Sequence, residues 1–480
     1  MASTHSAKPM TPAEHEAQLV VQALVQRARV AQGIADRYDQ ARVDELVDAA
    51  AWAILEPARN QALAELAVHD TGIGNVPDKV RKNYRKTLGL LRDLHGAKSV
   101  GVIADNVETG ITEIARPVGV VCAITPSTNP AATPANKIIN ALKGRNAIIV
   151  APSPKGWATC ARLLEYIHAA LERIGAPRDL VQVLPAPISK AATYALMAAC
   201  DLVVATGSQA NVRAAYASGT PAFGVGAGNV AGIVDETADM TLAAERILRS
   251  KTFDNATSCS SENSLVLLDG ARQSLLQALQ AGGAVLLNGA QKAQLQALMW
   301  PDGKLSSAVI GQSAAVVAQR AGLTDVAALQ PRVLLVEESG TGEDFPFSGE
   351  KLCPVLTLYS APDFESAMAT VERIYAFQGA GHSVGLHSAR PERALALALR
   401  LPVSRVIVDQ AHCIATGGSF DNGLPFSLSM GCGTWGKNNF SENMNYRHYL
   451  NITRISRPIA EHVPSDADLL SGYFAKYGRA

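Results

Sequence analysis

The residues with the most pointed chemistry lie in one run, Lys251-Thr-Phe-Asp-Asn-Ala-Thr-Ser-Cys259-Ser-Ser-Glu-Asn-Ser-Leu-Val. A helical pattern ends near Lys251 and a strand pattern begins near Ser264. Cys259 therefore falls on a connector, where a rigid scaffold can aim a loop residue. Structural cysteines favour apolar neighbours, yet this one stands among Ser258, Ser260 and Ser261. A thiol in a polar turn ionises more easily, and the thiolate is the nucleophilic form. Cys259 is a candidate nucleophile. The other reading, a small buried hydrophobe, suits the remaining six cysteines, which stand mostly in apolar or strand contexts.

Two further segments could serve that nucleophile. Ile124-Thr-Pro-Ser-Thr-Asn129-Pro follows a β-branched run, and ligands of open α/β sheets bind at the carboxyl ends of strands. An Asn129 amide there can donate to a developing oxyanion, although Asn-Pro is also an ordinary turn. Thr206-Gly207-Ser208 again follows a strand and precedes a helix, whose first backbone amides can face a phosphate. The run Gly224-Val-Gly226-Ala-Gly228-Asn229 allows close backbone approach, but its spacing is not the usual dinucleotide fingerprint.

These segments need a scaffold, and the hydropathy pattern supplies one. From Thr11 to about His95 apolar residues recur at helical steps (Leu19, Val20, Leu24, Ala28; Leu46, Val47, Ala50, Ile54). Such a stripe faces a core; a first helix docking to a larger assembly is the alternative. Residues 99–117 alternate as a hairpin does, and a jutting hairpin invites strand addition by another subunit. From Val118 to Asp235 short β-branched runs at 118–124, 146–150, 180–184, 201–205 and 230–234 alternate with helical stretches. That rhythm means right-handed βαβ units and a parallel sheet. After Cys259 it resumes near 264–268, 333–337, 354–359, 383–387 and 404–408. The tail from Asn439 to Pro458 is extended and long enough to pair with the hairpin. The expected division is a cofactor-binding domain at 1–250 with the hairpin as oligomerisation element, a catalytic domain at 251–415, and a return to the first domain with an oligomerisation tail at 416–480.

The chain has 480 residues, enough for two or three domains. Lysine plus arginine balance aspartate plus glutamate at 43 each, so no basic field exists to hold nucleic acid or an anionic membrane. Mean hydropathy is +0.08, and no window approaches the ~18 apolar residues of a membrane span. Met1–Met10 lacks the apolar stretch of a secretory signal. Seven cysteines without paired short spacings fit neither a disulfide framework nor a zinc site, which points to a reducing cytoplasm and no metal.

Taken together the segments resemble the aldehyde dehydrogenase superfamily, in its coenzyme A-acylating branch, over about Leu24 to Ile455. The strongest marks are Phe253-Asp-Asn-Ala-Thr-Ser-Cys259, Ala215-Tyr-Ala-Ser-Gly219, Gly224-Val-Gly-Ala-Gly-Asn229, Glu350-Lys-Leu-Cys-Pro354, Gly381-His382-Ser, and Gly431-Cys-Gly-Thr-Trp-Gly436 followed by Ser441-Glu-Asn443. The resemblance implies two parallel-sheet α/β domains with a β-hairpin extension. It implies that Cys259 attacks an aldehyde, that Asn129 holds the oxyanion, and that hydride passes to NAD or NADP. Glu350 would steady the nicotinamide ribose. Ser153, Thr206, Gly207, Ser208 and Gly226 would line the remainder of the cofactor site. The acyl group then passes to coenzyme A as cosubstrate.

Hydrolytic members of that superfamily carry a glutamate where Val225 stands here, so hydrolysis should lose general-base help worth ~10²–10⁴-fold. Another base, Glu262 or His382, is the alternative. Their Lys-Pro-Ser-Glu pattern is replaced by Ala151-Pro-Ser-Pro-Lys155, which leaves NAD and NADP both open. The tail, Asn443-Met-Asn-Tyr-Arg-His-Tyr-Leu-Asn-Ile-Thr-Arg-Ile455, resembles that of acylating sulfoacetaldehyde dehydrogenases. Ser258 and Ser260 then become substrate-lining candidates, and Arg447 and His448 candidate sulfonate partners. A simple aldehyde such as acetaldehyde is the alternative substrate, a hydrolytic enzyme or a non-catalytic binding module the alternative activities. A homodimer or homotetramer is expected.

Overall fold

The computed structural model describes residues 11–226 and 228–479, so the Met1–Met10 segment lies outside it. The chain opens with four helices, as the periodicity predicts: α1 (Pro12–Ala35), α2 (Gln40–Leu55), α3 (Pro57–Thr71) and α4 (Val76–Leu94). Thr11 and Glu14 form a reciprocal capping box at the start of α1. Gly72, at φ 66°, ends α3 in the left-handed conformation that glycine adopts without strain. α1 and α2 bury aliphatic stripes, including Val21, Leu24, Leu46 and Ile54, but Leu19 and Val20, expected in the α1 stripe, are exposed because the buried face runs through Ala17, Val21 and Leu24. The buried face of α4 is of another kind: it carries Lys79, Lys82, Asn83 and Lys86.

Strands β1 (Gly101–Asn106) and β2 (Ile111–Pro117) form the expected hairpin. The tail strand β15 (Leu450–Ser456) pairs antiparallel with β2, from Leu450 opposite Pro117 to Ser456 opposite Ile111. The three make a small separate sheet in the order β1-β2-β15.

A five-stranded parallel sheet follows, built from β3 (Val120–Thr125), β4 (Ala147–Pro152), β5 (Val181–Val183), β6 (Leu202–Thr206) and β7 (Ala222–Val225). Its crossovers are α5 (Ala132–Lys143), α6 (Trp157–Arg173), α7 (Lys190–Ala199) and α8 (Gln209–Ala217). Every residue of β3 and β4 is buried, as a sheet covered on both faces requires. The order is β5-β4-β3-β6-β7. Chain direction across the sheet therefore reverses between β3 and β6. A crevice opens there at the carboxyl ends, where Asn129 and Thr206-Gly207-Ser208 sit.

The second sheet has seven parallel strands: β8 (Val230–Val234), β9 (Glu262–Leu268), β10 (Ala284–Leu286), β11 (Val333–Glu337), β12 (Val355–Ala361), β13 (Val384–His387) and β14 (Val406–Val408). Their order is β10-β11-β12-β9-β8-β13-β14. One expectation is corrected. The 230–234 run was grouped with the first sheet, but β8 pairs with β9 and β13. It leads through α9 (Met240–Thr252) into its neighbour β9, an ordinary βαβ unit, so the second layer begins near 230 rather than after 250. An apolar run between Asn229 and Asp235 carries no mark of which sheet it joins. Among the described residues no helix is long and apolar enough to cross a membrane.

Candidate active site

Cys259 hangs between the end of α9 and the start of β9, in a connector of unusual shape. Asp254, Asn255 and Ala256 have φ of 50°, 53° and 58°, a left-handed run that costs L-residues roughly 1–2 kcal/mol each. Side chains hold it in place. The buried Asp254 carboxylate accepts from Lys79 Nζ at 3.1 Å, Lys82 Nζ at 2.5 Å and Thr257 Oγ1 at 2.8 Å. Burial alone would raise this carboxyl, but the two ammoniums outweigh it and keep it below its usual range. Asn255 Nδ2 donates to the Gly311 carbonyl at 2.9 Å.

The half-buried thiol faces a histidine. Cys259 Sγ lies 3.5 Å from His382 Nε2, and His382 Nδ1 lies 2.7 Å from Ser383 Oγ. In the tautomer that donates from Nδ1 to Ser383, the Nε2 lone pair points at the sulfur. Burial, with Glu350 and Cys432 adding, pushes the thiol up to about 12. Burial, with Arg405 and His412 adding, pushes His382 down to about 3. The resting pair is thus a neutral thiol against a neutral imidazole. A Cβ at Gly228 would stand 2.3 Å from the Cys259 carbonyl oxygen and 3.2 Å from His382 Cδ2, so only glycine lets this backbone pass.

Asn129 is held by the same network. Its Oδ1 accepts from Lys82 Nζ at 2.8 Å. Because that interaction occupies the carbonyl end, the amide N–H groups are left to donate elsewhere. Arg405 organises the opposite wall. It is buried, and it donates to Asn443 Oδ1 and to the carbonyls of His382, Gly431 and Ser441. Its charge also lowers the Cys259 thiol.

The cofactor candidates divide between two places. Ser208 caps α8 by accepting from the Asn211 N–H, and Thr206 Oγ1 lies 2.7 Å from Ser429 Oγ. Gly226 faces the same turn, since a Cβ there would meet Gln209 at 2.4 Å. Ser153 follows β4, beside a cavity of about 380 Å³ lined by Asp70, Pro154, Lys155, Trp157, Ala158 and Ala186 to Ile188. Glu350 is fixed by its own N–H to Gln378 Oε1 at 3.1 Å and by the Gly228 backbone. Burial pushes its carboxyl up to about 8. This donor set fits a nucleotide: the N–H groups opening α8 would receive phosphates.

The profile of the Aldehyde dehydrogenase family matches residues 3–297. The chain belongs to the aldehyde dehydrogenase family. It is 67% identical over 471 residues to a sulfoacetaldehyde dehydrogenase (acylating) of Cupriavidus necator, covering 98% of this chain and 95% of that one. It is 41% identical to the sulfoacetaldehyde dehydrogenase (acylating) of Bilophila wadsworthia, covering 94% and 98%. The crystal structure of an acetylating aldehyde dehydrogenase from Geobacillus thermoglucosidasius superposes with a TM-score of 0.89 at 33% identity, covering 95% of this chain and 100% of that one.

Within this aldehyde dehydrogenase the remaining candidates separate. Val225 is buried on β7 opposite Thr206, so no carboxylate occupies the position of the hydrolytic base. Glu262, the first alternative base, is sealed on β9 against Ser250 and cannot reach a cleft water. His382, the second, is at the thiol. Ser258 shares a 2.8 Å contact with Ser260, but Ser260 is buried and turned towards the Cys413 carbonyl, so it braces the loop. Arg447 is exposed on a groove with Lys98, Glu113 and Arg454, and His448 pairs with Glu442 at 3.0 Å. Neither is among the groups around Cys259. Lys82, Asp254 and Arg405 were not singled out from the sequence. The available signal was the 79, 82, 86 spacing, which puts three lysines on one face of α4.

Proposed function

We propose that the protein oxidises sulfoacetaldehyde with NAD or NADP and passes the acyl group to coenzyme A, giving sulfoacetyl-coenzyme A. The observation that carries this is the Cys259 Sγ–His382 Nε2 contact of 3.5 Å in a site with valine at the hydrolytic base position. The acyl acceptor and the substrate are supported by the relatives named above, whose activities are acylating and act on sulfoacetaldehyde.

His382 Nε2 takes the Cys259 proton as the thiolate adds to the aldehyde carbon, an ordinary activation of a nucleophile by an adjacent base. Asn129, oriented by Lys82, donates to the oxygen of the resulting thiohemiacetal together with the Cys259 backbone N–H. A bound nicotinamide supplies the hydride acceptor when that adduct becomes a thioester on Cys259. Thr206, Gly207, Ser208 and Gly226 would hold its phosphates, and Glu350 its nicotinamide ribose. Ser153 and Lys155 would stand at the adenosine end, where Lys155 attracts and Asp70 of the same cavity repels a 2′-phosphate, so the lining selects neither NAD nor NADP. His382 gives that first proton up to solvent; once coenzyme A enters, His382 receives its thiol proton, the coenzyme sulfur adds to the thioester carbon, and Cys259 leaves as a thiolate to which His382 returns the proton. A thiol needs less base assistance than water, which Val225 denies. The chain acts as a homodimer or homotetramer joined through the β1-β2-β15 sheet, whose outer edges are free to pair. Its seven unpaired thiols suit a reducing cytoplasm.

The test is turnover of sulfoacetaldehyde with and without coenzyme A, read by reduced nicotinamide and by product mass. Sustained reduction that requires coenzyme A and yields the thioester is expected. Brisk free-acid release without it overturns the acyl transfer.

A further inference from the structure

Two asparagines bracket the nucleophile, Asn255 four residues before Cys259 and Asn263 four residues after it. Their side chains reach towards the same neighbour. β9 and β12 pair in the second sheet, and their register begins with Ser264 opposite Thr357. The segments that lead into these strands carry Cys259 and Glu350, and side chains join them ahead of the ladder. Asn263 Oδ1 accepts from the Lys351 N–H at 3.0 Å. Asn255 Nδ2 donates to the Gly311 carbonyl at 2.9 Å, and the Gly311 N–H donates to the Leu352 carbonyl at 2.8 Å. Each of the two residues after Glu350 is therefore tied to the thiol segment, Lys351 directly and Leu352 through Gly311.

These ties hold backbone that would otherwise relax. Asn255 and Leu352 have φ of 53° and 49°, a region that L-residues keep only where the surroundings over-determine it. Gly311 is pinned between them: its carbonyl also accepts from the Gly74 N–H at 2.9 Å, and a Cβ on it would meet Ile73 Cγ2 at 2.5 Å. Asn263 and Lys351 are both buried, so loss of the Asn263 oxygen would strand the Lys351 N–H away from water. Gly228 lies between the two segments. Its N–H donates to the Glu350 carboxyl, and its backbone passes against the Cys259 carbonyl.

We infer that Asn255 and Asn263 are positioning residues, which clamp the segment carrying the thiol to the segment carrying Glu350 and so fix the separation between sulfur and nicotinamide ribose. This rests on the roles proposed above for Cys259 and Glu350. Hydride transfer demands such a fixed separation, because the reacting atoms must meet at about 3–3.5 Å and an error of about 1 Å can cost about 100-fold. Neither asparagine enters the reaction itself.

The experiment uses Asn255→Gly, which keeps the left-handed turn, Asn263→Ala, and Asn263→Asp, which keeps an acceptor for Lys351. The first readout needs neither cofactor nor aldehyde: the rate at which iodoacetamide alkylates Cys259 at pH 9, above the Glu350 value of about 8. Glu350→Gln should speed alkylation of the parent by about threefold or more, because it removes a charge that opposes the thiolate. The gain should shrink in Asn255→Gly and Asn263→Ala. The second readout is turnover of sulfoacetaldehyde. Those two variants should lower kcat by about 10- to 100-fold, with a larger isotope effect when the aldehyde hydrogen is deuterium, and Asn263→Asp should recover most of the loss. Parent-like kcat and isotope effect in both variants overturn the clamp. So does an equal Glu350→Gln effect in every background, none included. A parent that reduces no nicotinamide with sulfoacetaldehyde overturns the substrate reading only, and the alkylation comparison then decides the clamp by itself.

Discussion

A protonated thiol beside an uncharged imidazole sets the reactivity of Cys259. With the thiol pushed up to about 12, its thiolate fraction should climb about tenfold per pH unit through the neutral range. Inactivation of the cofactor-free enzyme by iodoacetamide should therefore keep rising from pH 7 to 10, and a plateau near neutrality would contradict this picture. Asn129→Ala should lower kcat by about 10²–10³-fold, the usual effect of losing an oxyanion donor. Lys82→Met should lower it by about 10- to 100-fold with little change in KM, because it releases the Asn129 carbonyl without removing the donor. Cys259 and Asn129 were legible in the sequence because each sits in a polar loop after a recognisable strand or helix. His382 was legible only as a motif. Its place at the sulfur comes from a contact 123 residues away along the chain, which local pattern does not encode.

At the scale of elements, β9 carries a cost that its sequence hides. Glu262 begins a strand that is otherwise apolar or small, and it is sealed there with Ser250 as hydrogen-bond donor. Burial raises its carboxyl from 4.5 to about 7. Between those values the folded chain binds the proton and the unfolded chain does not, so stability falls as pH rises through the window. The loss approaches about 3 kcal/mol above pH 7. Glu262→Gln should flatten that slope, measurable as denaturation midpoints at pH 5 and pH 8; an equal slope in both proteins would show the carboxylate to be solvated. Strand and helix positions were readable from β-branched runs and helical periodicity, and the hairpin and its tail partner emerged intact. Membership of β8 in the second sheet was not readable, because sheet order is set by crossover packing. The three-residue β10 was too short to stand out. The α4 lysines were not singled out, because the Asp254 that pairs with Lys79 and Lys82 lies far along the chain.

Over the whole molecule, the chain ends in a helix, Asp466–Tyr477, that buries none of its side chains. Removing residues 461–480 should shift the melting midpoint by no more than about 2 °C, since surface segments without buried area contribute little. A larger drop, checked by calorimetry, would mean that Leu469, Leu470 and Tyr473 are covered by another subunit in solution. The lysine row of α4 has the opposite character. Lys79 and Lys82 reach from the first layer into the Asp254 turn of the second, and Lys86 donates to the Gly417 carbonyl at 2.6 Å. Lys79 and Lys82 thus tie the first layer to the loop that carries the nucleophile. Parting the layers would strand those charges in the absence of their partners, so nicotinamide and the incoming acyl acceptor are expected to trade places without the layers separating.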